Sequence, residues 1–339
     1  MNILFRCDAN NEIGIGHGIR SLALAQAFKA KGDNTCFIFN DISANLLDIF
    51  VSEKVRAQKI NTESGSRKDA EETKKQTRQF KADWIIADGY AFGTAYQNII
   101  KEGGLKLLCI DDMASCEFAA DIILNQNPGF RESDYKCTNN AKLLLGPEYI
   151  ILRQEFVRFE RSGAEVSPRL ERIFLNMGGA DKNNVTGKVL KALNHLDFNI
   201  RVTAVMGPAN IHRENLEKMH SQLNYEIDLI YNPKSVISHM LNSDLAIHAC
   251  GTTSWELAYL GIPSISVIVS DNQVPVAESL ASSNYSLNLG WYNKFSEKDL
   301  IAAVSKTQSA SLRRKMSACG RKMVDGKGAD RVIEVMKSA

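Results

Sequence analysis

Short hydrophobic runs rich in β-branched residues alternate with longer amphipathic stretches along the first half of the chain. Such runs, each followed by helical periodicity, are typical of strand–helix units that build a parallel sheet. We therefore predict a doubly wound α/β domain with helices between its strands. The predicted strands are Ile3–Cys7, Cys36–Phe39, Trp84–Ala87 and Leu107–Ile110.

The same alternation resumes after residues 158–168, a polar stretch with turn residues and no sustained period, as expected of a linker. We place the boundary at Gly163, which gives domains 1–163 and 164–328. Residues 329–339 are predicted to form a short helix that crosses back onto the first domain. The predicted fold class is α/β, with two Rossmann-like domains facing each other across a cleft. The strands predicted in the second domain are Arg172–Asn176, Arg201–Val205, Glu226–Tyr231, Leu245–His248 and Ser264–Val269.

Composition narrows the classes of partner. Forty-one basic and 39 acidic residues leave no broad footprint for nucleic acid, so we expect a small-molecule ligand. The absence of an apolar run of about 18 residues argues against membrane insertion, and we see no secretion signal before the first strand. Seven cysteines without a CxxC pair predict reduced thiols in the cytoplasm. The oligomeric state is left open, and a monomer is compatible with the sequence.

The loop after the first strand carries the first candidate site. Gly14 and Gly16 permit a tight turn with close ligand approach, and His17 follows in the first turn of a predicted helix. The helix dipole disfavours an imidazolium there, which predicts a neutral, basic ring. Arg20 shares the helix face of His17. The alternative is that His17 merely caps or packs the start of the helix.

Two strand-to-helix loops in the second domain are candidate phosphate sites. Gly178, Gly179 and Asp181 precede the helical pattern Val185–Leu193, whose first amides could hold a diphosphate. An ordinary glycine-rich turn with Asp181 as the helix cap is an equal alternative.

The second of these loops holds Gly251, Thr252 and Thr253, small residues between a strand and a helix, where phosphate can bind. One turn later, Glu256 is placed to accept hydrogen bonds from the two hydroxyls of a ribose. The alternative is that Glu256 is a solvated surface residue.

Metal and dinucleotide chemistry are both disfavoured. Ile19 stands where the dinucleotide fingerprint GxGxxG needs its third glycine, which argues against NAD. Strand-end aspartates could suggest magnesium, but such residues more often cap helices or accept backbone hydrogen bonds. We predict neither metal nor cofactor. The aspartates in question are Asp8, Asp88, Asp111 and Asp112, of which Asp8 is a candidate to orient His17.

Several motifs, taken in order along both domains, resemble one enzyme family. They are Arg6-x-Asp8, Gly14-x-Gly-His-x-x-Arg20, Ile86-Ala-Asp-Gly-Tyr90, Ile110-Asp-Asp112, Leu145-Gly-Pro-Glu-Tyr-x-x-Leu-Arg153, Gly178-Gly-x-Asp181, Gly251-Thr-Thr-x-x-Glu256 and Asp271-Asn-Gln273. Together they look like the UDP-2,4-diacetamido-2,4,6-trideoxy-β-L-altropyranose hydrolases of pseudaminic acid biosynthesis. Cys250 and Trp255 depart from this pattern with bulkier side chains, which puts the substrate detail in doubt.

The resemblance implies a fold like that of the B-type glycosyltransferases, including the MurG-like group, with UDP held mainly by the second domain. It implies that His17 activates water, that C1–O is cleaved with inversion, and that Tyr90 and Asn272 lie beside the sugar. Tyrosines after strands also simply pack at the rim, and Asn272 fits a turn almost equally well. The predicted substrate-binding residues are Asp8, Gly14, Gly16, Arg20, Tyr90, Asn272 and Gln273, and the predicted UDP-binding residues are Gly178, Gly179, Asp181, Gly251, Thr252, Thr253 and Glu256.

Three other functions fit the same frame. A UDP-sugar-dependent glycosyltransferase would use the same nucleotide loops to transfer the sugar to an acceptor. The first domain lacks a concentrated apolar or basic run of the kind a membrane-associated transferase would show, which favours hydrolysis modestly. A hydrolysing 2-epimerase would need acid and base groups for C2 that no motif supplies. A non-catalytic UDP-sugar-binding protein is the third.

Overall fold

A computed structural model of the chain describes residues 1–10, 15–159 and 166–339. The chain divides into two compact units, Met1–Val157 with Gly326–Ala339, and Arg158–Asp325. The predicted boundary at Gly163 lies outside the described residues, and so does Gly14.

Unit 1 is built on a parallel sheet with the strand order β3-β2-β1-β4-β5-β7-β9. Its strands are β1 Asn2–Cys7, β2 Asn34–Phe39, β3 Arg56–Lys59, β4 Trp84–Asp88, β5 Lys106–Ile110, β7 Ile122–Asn125 and β9 Lys142–Leu145, with β6 Glu117–Phe118 and β8 Lys136–Cys137 forming a small separate pair. Its helices are α1 Gly16–Ala30, α2 Ala44–Ser52, α3 Arg67–Phe80, α4 Thr94–Glu102, α5 Gln154–Val157 and α13 Gly328–Ser338, with 3-10 turns at Glu132–Asp134 and Pro147–Tyr149.

Unit 2 repeats the plan with the order β12-β11-β10-β13-β14-β15. Its strands are β10 Arg172–Asn176, β11 Arg201–Met206, β12 Glu226–Tyr231, β13 Leu245–Ala249, β14 Ser264–Ile268 and β15 Ser286–Trp291. Its helices are α6 Val185–Leu193, α7 Arg213–Met219, α8 Ile237–Leu241, α9 Thr253–Leu260, α10 Val274–Ser282, α11 Glu297–Lys306 and α12 Ala310–Met323, with 3-10 turns at His220–Gln222 and Asp271–Gln273. The predicted fold class, two α/β domains on parallel sheets, is confirmed.

The central strands form because their residues are buried on both faces. β1 and β4 pair in parallel, and four residues from Ile3 to Arg6 are fully buried. Strands covered by helices on both sides need such continuous runs. The strand β3 was not predicted, because its sequence Arg-Ala-Gln-Lys is polar and it lies at an edge of the sheet, paired only with β2 in the described structure.

The C-terminal helix α13 packs within unit 1. Val332, Ile333 and Met336 join the core that α1 covers, and Lys31 pairs with Asp330 at 2.8 Å. The last helix therefore adds a stripe of buried apolar surface to the first sheet's core. Within the described ranges, no helix is both long enough and apolar enough to cross a bilayer.

Candidate functional site

The chain order reverses once in each sheet, and most of the predicted site residues that the structure describes lie at these two points. In unit 1 the reversal falls between β1 and β4, and in unit 2 between β10 and β13. In open α/β sheets the loops that leave the carboxyl ends of such neighbouring strands diverge to opposite faces and open a crevice for ligands. His17 follows β1, Tyr90 follows β4, Gly178 follows β10 and Gly251 follows β13.

In unit 1, His17 is buried and bound to a carboxylate. Its Nδ1 lies 2.7 Å from Oδ1 of Asp88, the last residue of β4. Among the described residues, the opposite ring nitrogen, Nε2, has no hydrogen-bond partner. One end of the ring is therefore fixed and the other is available.

Arg20 lies one helical turn after His17 and bridges two carboxylates. Its Nη2 donates to Asp88 Oδ1 at 2.7 Å, and its Nη1 donates to Asp112 Oδ1 at 2.7 Å. Ser21 donates its hydroxyl to Asp88 Oδ2 at 2.8 Å, and Asn127 donates its amide to Asp112 at 2.7 Å. Both carboxylates are thus held by several donors each.

These contacts keep Asp88 and Asp112 ionised. Burial alone raises the pKa of Asp88, but the charge of Arg20 and the hydrogen bonds from His17 and Arg20 outweigh it and bring the pKa well below its usual range. The pKa of Asp112 is likewise lowered, because Arg20 overcomes the effect of burial.

The ionised state of Asp88 assigns the tautomer of His17. A carboxylate can only accept, so at 2.7 Å the Nδ1 of His17 must donate. Nε2 then carries the lone pair when the ring is neutral. Arg20 Nη2 lies 3.1 Å from the same Nδ1, and both groups donate to Asp88 Oδ1. A carboxylate behind an imidazole in this way orients the ring and stabilises its protonated form.

Tyr90 lies over the same histidine. The two rings meet edge to face with centroids 4.9 Å apart, and the Tyr90 hydroxyl donates to Asp112 at 3.4 Å. The side chain is 49% exposed, so one side of the ring faces solvent. Tyr90 therefore lies at the outer side of the group of residues around His17, namely Arg20, Asp88, Tyr90 and Asp112, which we call the His17 pocket.

Asp8 does not contact His17. It accepts hydrogen bonds from Arg6, Ser64 and the backbone of Asn40, and so serves the loops around β1. The orienting role considered for Asp8 belongs to Asp88 by position. Gly16 begins α1, and a Cβ there would meet nothing within 4 Å.

In unit 2, the N-terminus of α9 is open. The backbone N–H groups of Thr252 and Thr253 have no acceptor in the described part of the chain, and no side chain caps the helix. A Cβ on Gly251 would meet nothing within 4 Å. Free amides at the positive end of a helix form a site for phosphate.

The N-terminus of α6 is closed by its own side chains. Asp181 accepts from the N–H groups of Val185 and Thr186 at 2.8 and 2.9 Å, and Asn184 accepts from Gly187. The amides at the start of the Val185–Leu193 helix are therefore already satisfied, contrary to our expectation that they could hold a diphosphate. Asp181 occupies the capping role that we gave as its alternative.

The remaining predicted residues lie at the same edge of the second sheet. Gly178 adopts a φ of +88° after β10, and Gly179 contacts the loop after β11 at Gly207. Asn272 and Gln273 form the 3-10 turn after β14, where the Gln273 side chain accepts from Val269 N–H at 3.0 Å. Glu256, in the first turn of α9, is buried rather than solvated.

Sequence reasoning missed the roles of four unit 1 residues, Ser21, Asp88, Asp112 and Asn127. Asp88 and Asp112 were noted only as strand-end aspartates, since nothing local marks them as partners of His17 and Arg20. The available signal was their position at the carboxyl ends of β4 and β5, the next two strands after β1 in the sheet. No group of three metal-binding side chains was found among the described residues.

Comparison with known sequences identifies relatives over most of the chain. Residues 176–332 match the glycosyltransferase family 28 C-terminal domain. An uncharacterized protein of Methanocaldococcus jannaschii, MJ1062, is 27% identical over 78% of this chain, and the match spans only 55% of that protein. The spore coat polysaccharide biosynthesis protein SpsG of Bacillus subtilis is 24% identical over 99% of this chain and 98% of its own length.

The hydrolase family suggested by the motifs is also among the relatives. UDP-2,4-diacetamido-2,4,6-trideoxy-β-L-altropyranose hydrolase of Campylobacter jejuni is 24% identical over 84% of this chain and 98% of its own length. The resemblance drawn from the motifs is confirmed by this alignment.

Among solved structures, MurG of Acinetobacter baumannii superposes with a TM-score of 0.74 over 100% of this chain and 99% of that one, at 14% identity. The fold is the GT-B fold. UDP-GlcNAc 2-epimerase of Neisseria meningitidis, solved with UDP-GlcNAc, shares it with a TM-score of 0.65 at 10% identity and covers 100% of both chains. GT-B proteins with different reactions thus share this architecture, and the reaction must be argued from the site.

Proposed function

We propose that this chain is a hydrolase that cleaves the anomeric C–O bond of a UDP-linked diacetamido-trideoxy sugar and releases UDP. The observation that carries the proposal is the buried His17–Asp88 pair, which leaves Nε2 of an oriented imidazole available as a base. The relationship to the Campylobacter hydrolase supports the choice of substrate. The odd number of cysteines supports a cytoplasmic setting.

In the proposed reaction, Nε2 of His17 takes a proton from water while the water oxygen bonds to C1 of the sugar. The C1–O bond breaks, and its electron pair stays on the β-phosphate of UDP. A single displacement of this kind inverts C1. UDP is a good leaving group, so a positioned water and a base account for much of the rate.

The charges around His17 suit this proton transfer. Arg20 contributes one positive charge, while Asp88 and Asp112 contribute two negative ones, so these three groups carry a net negative charge. When His17 accepts a proton from water, its positive charge balances the net negative charge of these three groups. A buried imidazolium beside an ionised carboxylate is far more stable than one without a partner.

Unit 2 would hold the nucleotide. The free amides of Thr252 and Thr253 suit the diphosphate, and Glu256 in the first turn of α9 suits the ribose hydroxyls. Asn272 and Gln273 supply amide groups for the sugar or the phosphate. With α6 capped by Asp181 and Asn184, we assign the diphosphate chiefly to α9 and to the backbone at Gly178 and Gly179.

The proposal is tested by incubating the protein with a panel of UDP-sugars in water enriched in 18O. We expect UDP release from the diacetamido-trideoxy substrate, with the label in the free sugar and not in UDP, and inversion at C1 by NMR of the first-formed anomer. Label in the phosphate would show cleavage at phosphorus, and release of UMP would show attack within the diphosphate; either result refutes the proposal.

Transfer of the sugar to an acceptor other than water is a second candidate, favoured by the match to the glycosyltransferase family 28 C-terminal domain. A transferase would release UDP slowly from the UDP-sugar in the absence of an acceptor and much faster in its presence. A 2-epimerase would instead exchange the C2 hydrogen with D2O. A non-catalytic UDP-sugar-binding protein would bind UDP and turn over no substrate in the panel.

A further inference from the structure

We propose that Gly65 and Arg6 are positioning residues that hold the loop 89–92 and thereby fix Tyr90 against His17. The inference rests on the proposed function, because Tyr90 matters to the reaction only if the His17 pocket binds the sugar. Neither Gly65 nor Arg6 contacts His17 in the described structure. Their effect must pass through the loop.

Gly65 packs directly against the residue that follows Tyr90. It adopts a φ of +75°, and a Cβ at this position would overlap the carbonyl oxygen of Ala91 and lie 2.8 Å from its carbonyl carbon. Both the left-handed backbone and the close approach require glycine. An alanine at position 65 must therefore displace the backbone of Ala91, which is bonded to Tyr90.

Arg6 holds the other side of the same loop. Its guanidinium is fully buried and lies 4.7 Å from the centroid of the Phe92 ring. It also donates to Asp69 at 2.8 Å and to Asp8 at 2.8 Å. Because both carboxylates fix its plane, the guanidinium is a rigid surface for the Phe92 ring.

The two contacts belong to one cluster. Gly65 N–H donates to Asp69 Oδ2 at 2.8 Å, and the Ser64 hydroxyl donates to Asp8 Oδ2 at 2.6 Å. The carboxylates that hold Arg6 therefore also hold the turn that carries Gly65. Loop 89–92 is held at two successive residues directly after Tyr90, Ala91 and Phe92, by a single buried ion-pair network.

This arrangement explains how a half-exposed tyrosine keeps a defined position. Tyr90 is 49% exposed and meets His17 by the edge of its ring at a centroid distance of 4.9 Å. Because the backbone directly after Tyr90 is held at Ala91 and Phe92, the point from which the side chain extends toward His17 is fixed. Misplacing a contact group by about 1 Å can cost about 100-fold in rate.

The experiment compares Gly65→Ala with Gly104→Ala. Gly104 has a similar φ of +69°, but a Cβ there would meet nothing within 4 Å, so this variant carries the backbone strain without the collision. We expect Gly65→Ala to lower kcat/KM for UDP release about 10- to 100-fold, and Gly104→Ala to leave it nearly unchanged. With Tyr90→Ala already present, Gly65→Ala should lower kcat/KM little further.

A second readout does not depend on turnover. The Cε1–H signal of His17 in protein labelled with 13C-histidine, assigned by its loss in His17→Asn, reports the ring current of Tyr90. It should shift in Gly65→Ala and in Phe92→Leu, and stay in place in Gly104→Ala. Phe92→Leu keeps the test available if Gly65→Ala does not fold.

The outcomes are separable. If Tyr90→Ala leaves UDP release unchanged, the proposed contact of Tyr90 with the substrate is wrong, while the His17 signal still decides whether Gly65 positions the ring. If the signal stays unmoved in folded Gly65→Ala or Phe92→Leu, or if Gly65→Ala and Tyr90→Ala act additively, the positioning role is refuted.

Discussion

At the scale of single residues, the proposed reaction depends on the two ring nitrogens of His17. Nδ1 is hydrogen-bonded to Asp88, and Nε2 is available to accept a proton. We predict that His17→Ala and His17→Asn leave the affinity for UDP within about twofold while UDP release falls at least about 100-fold. The reason is that UDP contacts are assigned to unit 2, whereas the base is in unit 1. Calorimetric titration of UDP and initial rates of UDP release provide the two measurements.

A matched control is His195, a residue exposed on the surface of unit 2. Its Nε2 lies 3.9 Å from Oε2 of Glu297, a long distance for an ion pair. His195→Asn should change neither quantity. Turnover by His17→Asn near the rate of the parent protein would remove His17 from the reaction.

Glu256 tests the nucleotide site at the same scale. It is buried in the first turn of α9, and its proposed ribose contact is bidentate. We predict that Glu256→Ala raises the Kd for UDP about 10-fold or more, because both ribose hydroxyls lose their acceptor. Affinity for inorganic diphosphate should change much less. Equal losses for the two ligands would contradict a ribose contact and point to a general disturbance of α9.

At the scale of elements, the loop after β10 is supported by the loop after β11. A Cβ on Gly207 would lie 2.5 Å from the Cα and the carbonyl oxygen of Gly179, and His212 Nε2 lies 3.1 Å from the carbonyl oxygen of Lys182. The position of the proposed diphosphate loop therefore depends on a contact between two glycines.

We predict that Gly207→Ala raises the Kd for UDP about 10-fold, since the new methyl group must displace the Gly179 backbone. Gly93→Ala is the matched control, because Gly93 is an N-cap residue at which a Cβ would meet nothing within 4 Å. Titration calorimetry on both variants measures the difference. An unchanged Kd in folded Gly207→Ala would show that this loop does not support the nucleotide.

The sequence predicted most elements whose burial is continuous, although β7, which is buried along its whole length, was missed because its apolar run stops before Asn125 and is only three residues long. β10 and α6 have the predicted bounds, because an apolar run and an amphipathic period specify them. β3 is polar and was missed, and β6 and β8, with two residues each, carry no period.

The same contrast holds for the site. The motif around His17 drew attention to the correct loop, since glycines and a histidine adjoin in sequence. Asp88 and Asp112 are 71 and 95 residues away from His17, and only the strand order β1-β4-β5 brings them to it. Capping of α6 by Asp181 was foreseen as an alternative, but local sequence gave no means to choose between a cap and a ligand contact.

At the scale of the whole molecule, the buried carboxylates that charge the His17 pocket also set its response to acid. Asp88 and Asp112 have pKa values below their usual range in the folded chain, because Arg20 outweighs the effect of burial. The pKa of Asp8 is also lowered, because Arg6 outweighs the effect of burial there. Each of these groups stabilises unit 1 above its unfolded pKa of about 3.9, and that contribution is lost as the pH falls toward the folded value.

Unit 2 contains a buried carboxyl group, that of Asp181, whose pKa shifts in the opposite direction. Burial raises the pKa of Asp181, so its proton binds more readily in the folded chain than in the unfolded one, and acid does not remove stability through this residue. The lowered pKa of Asp299 arises from the Ser296 cap at an exposed helix start, where its effect is screened. The two units should therefore differ in their sensitivity to acid.

We predict that as the pH falls below about 5 unit 1 loses protection from hydrogen exchange before unit 2 does, because the unfolded chain takes up protons on these carboxyls from there downward while their lowered pKa values keep them ionised in the folded chain. Mass spectrometry of peptides from each unit, sampled across this range, measures the order. Asp112→Asn, which removes one of these titrating groups, should flatten the pH dependence of unit 1 while lowering its stability at pH 7, and Asp299→Asn should alter neither unit appreciably. Simultaneous loss in both units, unaffected by Asp112→Asn, would mean that the Arg20 network does not govern acid unfolding.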